Sequence, residues 1–367
     1  MRALRRFPEL VSVLPQIATH TVSRLYLEGP GGESTMIESN EPAALMIRRV
    51  EFDALLVSLA ADAGAELVPG VDIVNAAERN GRVTLTSRDG RRFESATVIA
   101  ADGVHSVVAR RLGLNDGWPA AAVALDMMEE TPRAQLRDVD PSTLWVAYGY
   151  LPEPGGRVAG TRAPEGYAYI FPKRDHVNVG IGYVLSYYRN EVERAPYELQ
   201  RAFVDRLRAD GIVVGESQRA NFTPFLIPIG GPARRLGRGR VLLAGDAGGF
   251  VNGVTAEGIY YAMVSGDLAA RTVAASGGRR DLASDFTRAV DAEIGAELRD
   301  SVLLQRYLFG DRRRIARTIR AAPTSGAVIS LILDFVVGRR SYRDMRRRIL
   351  LRSPLAAARM IMGRCLP

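Results

Sequence analysis

A glycine-rich stretch in the last third of the chain combines residue types that could bind a polar or anionic ligand. It spans residues 240–263 and reads RVLLAGDAGGFVNGVTAEGIYYAM. The apolar residues 241–244 predict a short strand that is buried on both faces. The glycines that follow allow positive φ and close approach of the backbone to a ligand, and they place Asp246 within the turn. From Thr255 the pattern becomes helical, and the free N–H groups of a helix start favour a polar or anionic group.

A Gly-Asp pair in a strand, turn and helix usually serves packing alone. The whole stretch, however, resembles the second flavin-binding motif of FAD-dependent oxidoreductases related to para-hydroxybenzoate hydroxylase, most closely in the geranylgeranyl reductase branch. The resemblance implies that Asp246, next to Gly245, hydrogen-bonds a ribityl or ribose hydroxyl of FAD. It also implies that Gly258 and Ile259 present backbone N–H groups to the flavin ring, where a helix start suits the negative charge of a reduced flavin.

Two motifs earlier in the chain extend this resemblance. The first is RVEFD, which begins at Arg49, and the second is the strand-like TVIAADG, which ends in Asp102 and Gly103. By themselves these motifs indicate a core helix and a turn. In the family, Arg49 would reach the FAD phosphates, for which the charged fork of donors of an arginine is well suited. Asp102 and Gly103 would hold the fold around the cofactor, and Ile73 would line the cofactor site.

A second candidate site lies in residues 166–183, which read GYAYIFPKRDHVNVGIGY. Their alternation predicts a β-hairpin with a well-packed face, and residues 173–176 form its turn. The segment also resembles the Tyr-x-Trp-x-Phe-Pro-Lys signature of the reductase branch, with Tyr169 where tryptophan is usual. The resemblance implies a substrate pocket bordered by Tyr167, Tyr169, Phe171, Pro172 and Phe225, the last within an apolar wall at 222–228.

The surrounding elements predict a mixed α/β (α+β) fold. A helix that starts at Arg49 buries Phe52, Leu55, Leu56, Leu59 and Ala63 on one face and ends at Gly64. Strands follow at 67–74 and 83–86, with a hairpin turn at Asp89 and Gly90. Short alternating segments over 116–235 predict an antiparallel sheet, and residues 281–322 predict helices with Leu298, Val302, Gln305 and Leu308 on one stripe.

These elements divide the chain into four predicted regions. Residues 1–115 and 236–280 form the two parts of an incomplete Rossmann-like FAD-binding domain, and strands of the first part join the substrate sheet. Residues 116–235 form an antiparallel substrate domain, and residues 281–367 form a basic helical region. The resemblance leads us to expect a strand, a GxGxxG turn and a helix ahead of residue 1, about forty to fifty residues in all. A cysteine-glycine segment common in this branch is also missing. Because one arginine does not replace a phosphate-binding helix start, we expect this form to hold FAD poorly.

Composition excludes several functional classes. The 367 residues are 47% hydrophobic, as expected of a globular protein with one large or two moderate cores. The single cysteine, Cys365, excludes an internal disulfide framework, and the three widely separated histidines make a metal site improbable. No Ser-His-Asp or Cys-His constellation supports hydrolysis, and no signal peptide or spanning segment is evident. We therefore expect a cytoplasmic protein.

The net charge of +8 is concentrated near the C-terminus, since residues 306–364 contain 15 arginines and three aspartates, a local balance of +12. This segment predicts either a solvated basic face or peripheral contact of residues 339–364 with an anionic membrane. The expected function is FAD-dependent reduction of C=C bonds in a polyprenyl lipid or quinone tail, with NADPH or another reductant and without a nucleic-acid partner. Tyr167, Tyr169 and Tyr261 are candidate proton donors. The alternatives are an aromatic monooxygenase of the same superfamily and a non-catalytic lipid-surface protein.

Overall fold

The computed structural model describes residues 2–39, 41–150, 164–277, 281–321 and Tyr342. Contacts divide the chain into two units, each assembled from separate stretches of sequence. The first unit comprises Met1–Leu67, Ala124–Phe225 and Tyr307–Ser341, and the second comprises Val68–Val123, Leu226–Arg306 and Tyr342–Pro367. The four regions expected from the sequence stay a prediction.

The described residues form strands and helices throughout, which confirms the predicted mixed α/β class. The strands are β1 (Thr19–Val22), β2 (Arg24–Glu28), β3 (Ser34–Glu38), β4 (Ala44–Ile47), β5 (Ile73–Arg79), β6 (Arg82–Ser87), β7 (Arg92–Ser95), β8 (Val98–Ala100), β9 (Ala124–Pro132), β10 (Leu136–Asp138), β11 (Thr143–Tyr148), β12 (Gly166–Pro172), β13 (His176–Val184), β14 (Val213–Gly215), β15 (Phe222–Ile227), β16 (Gly237–Arg238) and β17 (Val241–Leu243). The helices are α1 (Arg2–Arg6), α2 (Leu10–Val13), α3 (Arg49–Asp62), α4 (Val107–Arg111), α5 (Leu185–Glu191), α6 (Pro196–Ala209), α7 (Ile259–Ala274), α8 (Ala283–Val290), α9 (Ala296–Phe309) and α10 (Arg312–Ala321).

A seven-stranded sheet dominates the first unit, in the order β15-β9-β13-β12-β11-β2-β3. Strand β11 pairs with β2 in parallel, whereas the pairs β9-β13, β13-β12, β12-β11 and β2-β3 are antiparallel. The predicted hairpin is present as β12 and β13, where the amide of Lys173 donates to the carbonyl of His176 at 2.9 Å. Strands from the N-terminal stretch join the same sheet, as predicted.

Helix α6 covers one face of this sheet. Its residues Leu199, Phe203, Val204 and Leu207 are buried against the sheet. They pack on side chains that alternate along the strands: Met127, Trp145, Ala168, Ile170, Val177, Val179, Ile181 and Tyr183. Burying this many large apolar side chains is the main stabilising contribution to the unit.

Helix α3 begins at Arg49 and ends before Gly64, which has a φ of +95° and donates its amide to Ala61, as the sequence predicts. The predicted single apolar face is only partly buried. Phe52 and Leu55 are buried, whereas Ala63 is exposed and Val50 on the other side is 64% exposed. Apolar residues therefore surround this helix, and only a narrow stripe of them is packed within the described residues.

Two small sheets form the strands of the second unit. One has the order β16-β17-β8, with β17 and β8 parallel, and the other is the antiparallel meander β5-β6-β7. The turn at Asp89 and Gly90 joins β6 to β7, as predicted. The predicted strand at 67–74 is wrong over its first six residues, because strand structure begins only at Ile73. Residues 67–72 pair with no neighbouring strand among the described residues, and Leu67 is 61% exposed.

The C-terminal helices α8, α9 and α10 confirm the predicted helical region, and Leu298, Val302 and Gln305 are buried as expected. Residues 339–364, for which a membrane contact is predicted, lie outside the described residues apart from Tyr342. Within the described ranges, none of the helices combines the length and the apolarity that crossing a membrane requires.

Candidate active site

The glycine-rich turn after β17 places one polar side chain at the surface of an otherwise buried segment. From Val241 to Gly253 every residue is buried except Asp246, which is half-buried. The turn itself is one short 3-10 helix, Gly245–Gly248, and Gly245 and Gly249 adopt φ values of +56° and +71°. The amide of Gly245 donates to the hydroxyl of Ser265 on α7 at 3.0 Å. This hydrogen bond attaches the turn to α7, and Asp246 is the one position of the segment that is partly accessible.

Helix α7 starts at Ile259, four residues later than the sequence predicts. Asn252 explains the delay, because its side-chain oxygen accepts hydrogen bonds from the amides of Val254 and Thr255 at 2.9 and 3.1 Å. Such a side-chain turn competes with helix formation. Ala256 then adopts a φ of +54° before the chain enters the helix.

The helix start itself is suited to a ligand. Gly258 is the N-cap residue and has no side chain that could satisfy the first amides, which lack acceptors within the helix. A methyl group added at Gly258 would lie 3.5 Å from the Asp246 carboxylate. The structure therefore brings Asp246, Gly258 and Ile259 together, as the resemblance implies.

Residues of α9 hold this loop, and the sequence reasoning did not identify them. The Ser301 hydroxyl accepts from the amide of Gly253 at 2.8 Å, and the Tyr261 hydroxyl donates to Glu297 at 2.9 Å. All of these side chains are buried. The available signal was the run of polar residues on the otherwise apolar face of α9. Because the Tyr261 hydroxyl is buried and already donates its hydrogen to Glu297, it is a poor candidate for a proton donor.

Asp102 caps a helix. Its carboxylate accepts from the Ser106 hydroxyl at 2.5 Å and from the amides of Val107 and Val108 at 2.8 and 3.1 Å. These are the first residues of α4, so the side chain supports the fold around the turn. Since β8 and β17 are parallel neighbours, Asp102 and Gly103 follow the same edge of the sheet as Gly245 and Asp246.

The described residues of the second unit fit an FAD molecule. The half-buried Asp246 carboxylate can accept from a diol, and the uncapped start of α7 can donate to a polar ring edge. Ile73 is half-buried at the first position of β5. Among the described residues, no group of three or more His, Cys, Asp or Glu side chains is arranged to hold a metal ion.

Arg49 lies in the first unit, at the start of α3. Its guanidinium forms a two-pronged ion pair with Asp53 at 3.0 and 2.9 Å, and its side chain is 61% exposed. An exposed pair of this kind contributes at most about 1 kcal/mol, so a phosphate could compete with Asp53 for the guanidinium. The role of Arg49 in phosphate binding stays a prediction.

The substrate signature lies on the sheet face opposite α6. Tyr167, Tyr169 and Phe171 project from this face of β12, and the rings of Tyr169 and Phe171 stack with centroids 4.3 Å apart. Tyr148 on the neighbouring β11 lies 5.6 Å from Tyr167, ring to ring. Opposite Tyr169, β13 has Gly180. A methyl group there would clash with the tyrosine ring and hydroxyl, so the close approach requires glycine.

The carboxylate that contacts Tyr169 on this aromatic face was missed by the sequence reasoning. Asp126 of β9 is half-buried, and its Oδ2 accepts from the Tyr169 hydroxyl at 3.0 Å. Burial raises the pKa of Asp126 to about 6, and the hydrogen bond from Tyr169 lowers it less than burial raises it. No sequence motif marks this residue, because its partner lies 43 positions away.

Lys173, the last residue of the signature, is buried and supports the start of α3. Its ammonium group donates to the carbonyl of Ile47 at 2.6 Å. Burial lowers the pKa of Lys173 to about 8, against the opposing effect of the Glu130 carboxylate. Glu130 also pairs with Arg48 at 2.7 Å. This cluster ties the hairpin turn to the residues that precede Arg49.

The remaining predicted substrate residues differ in burial. Pro172 is buried at the end of β12, whereas Phe225 on β15 is 47% exposed. Residues 222–227 form β15, whose side chains are half-buried or exposed, and their role as an apolar wall stays a prediction. The described residues thus gather Tyr167, Tyr169 and Phe171 in one aromatic cluster.

Comparisons with known proteins agree with these features. Residues 13–275 match the family model described as FAD binding domain. Digeranylgeranylglycerophospholipid reductase 2 of Methanothermobacter thermautotrophicus is 28% identical over 308 residues, which cover 81% of this chain and 73% of the relative. Menaquinone reductase of Mycolicibacterium smegmatis is 32% identical over 245 residues, 65% of this chain and 56% of the relative.

A solved structure shares the fold. The geranylgeranyl bacteriochlorophyll reductase-like protein of Thermoplasma acidophilum superposes with a TM-score of 0.68 at 18% identity, covering 90% of this chain and 82% of that one. This chain spans just over half the length of the mycobacterial relative. The family model alone covers well over half of the 367 residues. The chain therefore belongs to the geranylgeranyl reductase family of FAD-dependent oxidoreductases.

Proposed function

We propose that this protein reduces isolated C=C bonds in the polyprenyl chain of a lipid or a quinone. The observation that carries the proposal is the aromatic face of the seven-stranded sheet, where Tyr169 stacks on Phe171 and contacts the tilted ring of Tyr167 beside Gly180. An extended hydrocarbon has no polar group for recognition, so broad apolar and aromatic contact is the appropriate way to bind it.

In this proposal the two units contribute different functions. Asp246 and the amides at Gly258 and Ile259 would hold FAD, which supplies an electron pair to the substrate when reduced. Tyr167 and Phe171 would bind and orient the prenyl chain. Their ring surfaces would also exclude water from the alkene, which needs no solvation. The electron donor is proposed to be NADPH or another reductant.

The names of the relatives support the substrate class. One relative is named for a digeranylgeranylglycerophospholipid and another for menaquinone, and both molecules carry polyprenyl chains. We therefore propose a substrate whose polyprenyl chain is attached to a lipid or quinone head group. Peripheral membrane contact through residues 339–364 stays a prediction from charge and apolar pattern.

The test is an anaerobic assay with added FAD, a reductant and a polyprenyl quinone or lipid. Mass spectrometry should show products that have gained two hydrogen atoms for each double bond reduced. Asp246→Ala should lose bound flavin, seen in the flavin absorption spectrum. Phe171→Ala should keep the flavin spectrum and lose most of the turnover, because its side chain lies on the substrate face.

Two outcomes would contradict the proposal. Oxygen-dependent hydroxylation of aromatic acids without any alkene reduction would establish the monooxygenase alternative. A protein that binds lipid vesicles but neither retains added FAD nor reduces the chain would establish a non-catalytic lipid-surface protein.

A further inference from the structure

Two glycines of β13, Gly180 and Gly182, lie in the middle of the aromatic face, and we call this pair of positions, with the strand segments beside them, the glycine trough. Register places Gly182 between Tyr167 of β12 and Asp126 of β9. Because neither glycine has a side chain, Tyr169 can lean across Gly180 and reach Asp126, which lies two strands away. Gly182 and Asp126 are both half-buried, so this end of the trough is partly accessible from the aromatic face.

The two oxygens of this carboxylate differ. Oδ2 accepts the hydrogen bond from Tyr169, whereas a methyl group at Gly182 would lie 3.4 Å from Oδ1. Oδ1 therefore lies beside Gly182, on the aromatic face of the sheet. Asp126 forms no ion pair among the described residues, and the Tyr169 hydroxyl is the group that hydrogen-bonds its carboxylate.

The charged and titratable groups around Asp126 are few. Tyr167 and Tyr169 face it from β12, and Glu130 lies farther along the same face of β9, paired with Arg48. Strand β15 contains no titratable residue, and α5, which also contacts β9, has Arg189 and Glu191 exposed to solvent. No described cation is therefore placed to keep Asp126 ionised once water leaves.

We propose that Asp126 supplies the proton for alkene reduction, and that it takes up this proton when an apolar substrate covers the glycine trough. The inference rests on the proposed function. Burial already raises the pKa of Asp126 to about 6, although Gly182 leaves the carboxylate partly accessible. A hydrocarbon over Oδ1 removes the remaining solvation of the charged form, which raises the pKa further.

The chemistry balances in the following way. One alkene carbon receives a hydride, with its electron pair, from a reduced flavin, and the other receives the proton of Asp126 Oδ1. The π bond breaks, two C–H bonds form, and the resulting carboxylate takes a proton from water. Tyr169 is a positioning residue in this scheme, since its hydroxyl holds Oδ2 and turns Oδ1 toward the trough.

The test measures proton uptake without any turnover. The oxidised, FAD-containing protein is titrated with geranylgeraniol, a prenyl alcohol with no titratable group, at pH 7 in buffers of different ionisation enthalpy. Because a carboxyl with a pKa near 6 is mostly ionised at pH 7, we expect uptake of up to about 0.9 proton per bound alcohol. Asp126→Asn should bind the alcohol without uptake, whereas Asp175→Asn, exposed in the hairpin turn, should take up as many protons as the wild type.

A second variant keeps the test informative if Asp126→Asn fails to fold. Tyr169→Phe removes a hydrogen bond that stabilises the ionised carboxylate, so the pH at half-maximal uptake should move upward. Binding without uptake by the wild type, equal uptake by Asp126→Asn, or an unmoved pH profile in Tyr169→Phe would each overturn the inference. If the wild type binds no prenyl alcohol at all, the proposed function fails and this inference fails with it.

Discussion

The two faces of the seven-stranded sheet use the same strands for opposite purposes. Along β12 and β13, Ala168, Ile170, Val179 and Ile181 point toward α6 and are fully buried in an apolar core. The alternate positions include Tyr167, which is half-buried, and they face aromatic rings, glycines and one carboxylate. The first face is an apolar core, whereas the second combines a smaller buried cluster around Tyr169 with half-buried side chains and a group that can change its charge.

This difference shows how the loss of stability caused by a functional surface can be limited to one face of the sheet. A side chain on the α6 face can be chosen for shape alone, since packing decides its contribution. On the opposite face, a partly solvated carboxylate opposes stability whenever it is ionised. Period-two alternation lets both requirements be met within one hairpin.

The largest expected effect tests the stability of the α6 face. Phe203 is fully buried, with its ring 5.0 Å from Tyr150 and 6.0 Å from Trp145, centroid to centroid. Phe203→Ala should lower the free energy of unfolding by about 3–5 kcal/mol in urea titrations, through lost burial and the cavity left behind. Phe171→Ala on the other face should cost clearly less, because Phe171 is half-buried. Equal losses in the two variants would contradict the distinction between the faces.

A smaller effect is expected from adding single methyl groups to the glycine trough. Gly180→Ala would clash with Tyr169, so it should displace that ring, cost about 1–3 kcal/mol of stability and weaken binding of a prenyl alcohol. Gly182→Ala is the matched control for stability, because its added methyl meets Asp126 at an ordinary contact distance of 3.4 Å. Urea unfolding of both variants measures the difference in stability, and calorimetry measures the loss of binding in Gly180→Ala. If the two alanines behave alike, the close approach of Tyr169 to Gly180 does not matter.

The smallest expected effect is the pH dependence of stability due to Asp126. Its pKa is raised in the folded protein to about 6, so the folded state binds the proton more tightly than the unfolded state does. The stability associated with this proton is present at low pH and is lost as the pH rises through about 6. Asp126→Asn should lack this loss and gain stability relative to the wild type above that pH. Urea unfolding at several pH values checks the prediction, and parallel pH profiles would refute it.

Local sequence patterns predicted much of both candidate sites. The buried strand before Asp246 and the hairpin at 166–183 were predicted because hydrophobic periodicity and turn residues act over a few positions. The start of α7 was misplaced, because the side-chain turn of Asn252 delays the helix. The strand expected at 67–72 did not form, since an apolar run becomes a strand only where a neighbour pairs with it.

The sequence by itself thus determined the family, the cofactor motif and the alternation of side chains along the hairpin, since each depends on contiguous residues. Tertiary structure alone decided which face of that hairpin α6 covers and which carboxylate the exposed face contains. Asp126 meets Tyr169 only because β13 lies between their strands and has glycine at the crossing point. Strand order depends on long-range pairing and on the apolar surface that the whole unit buries, and a local sequence pattern determines neither of them.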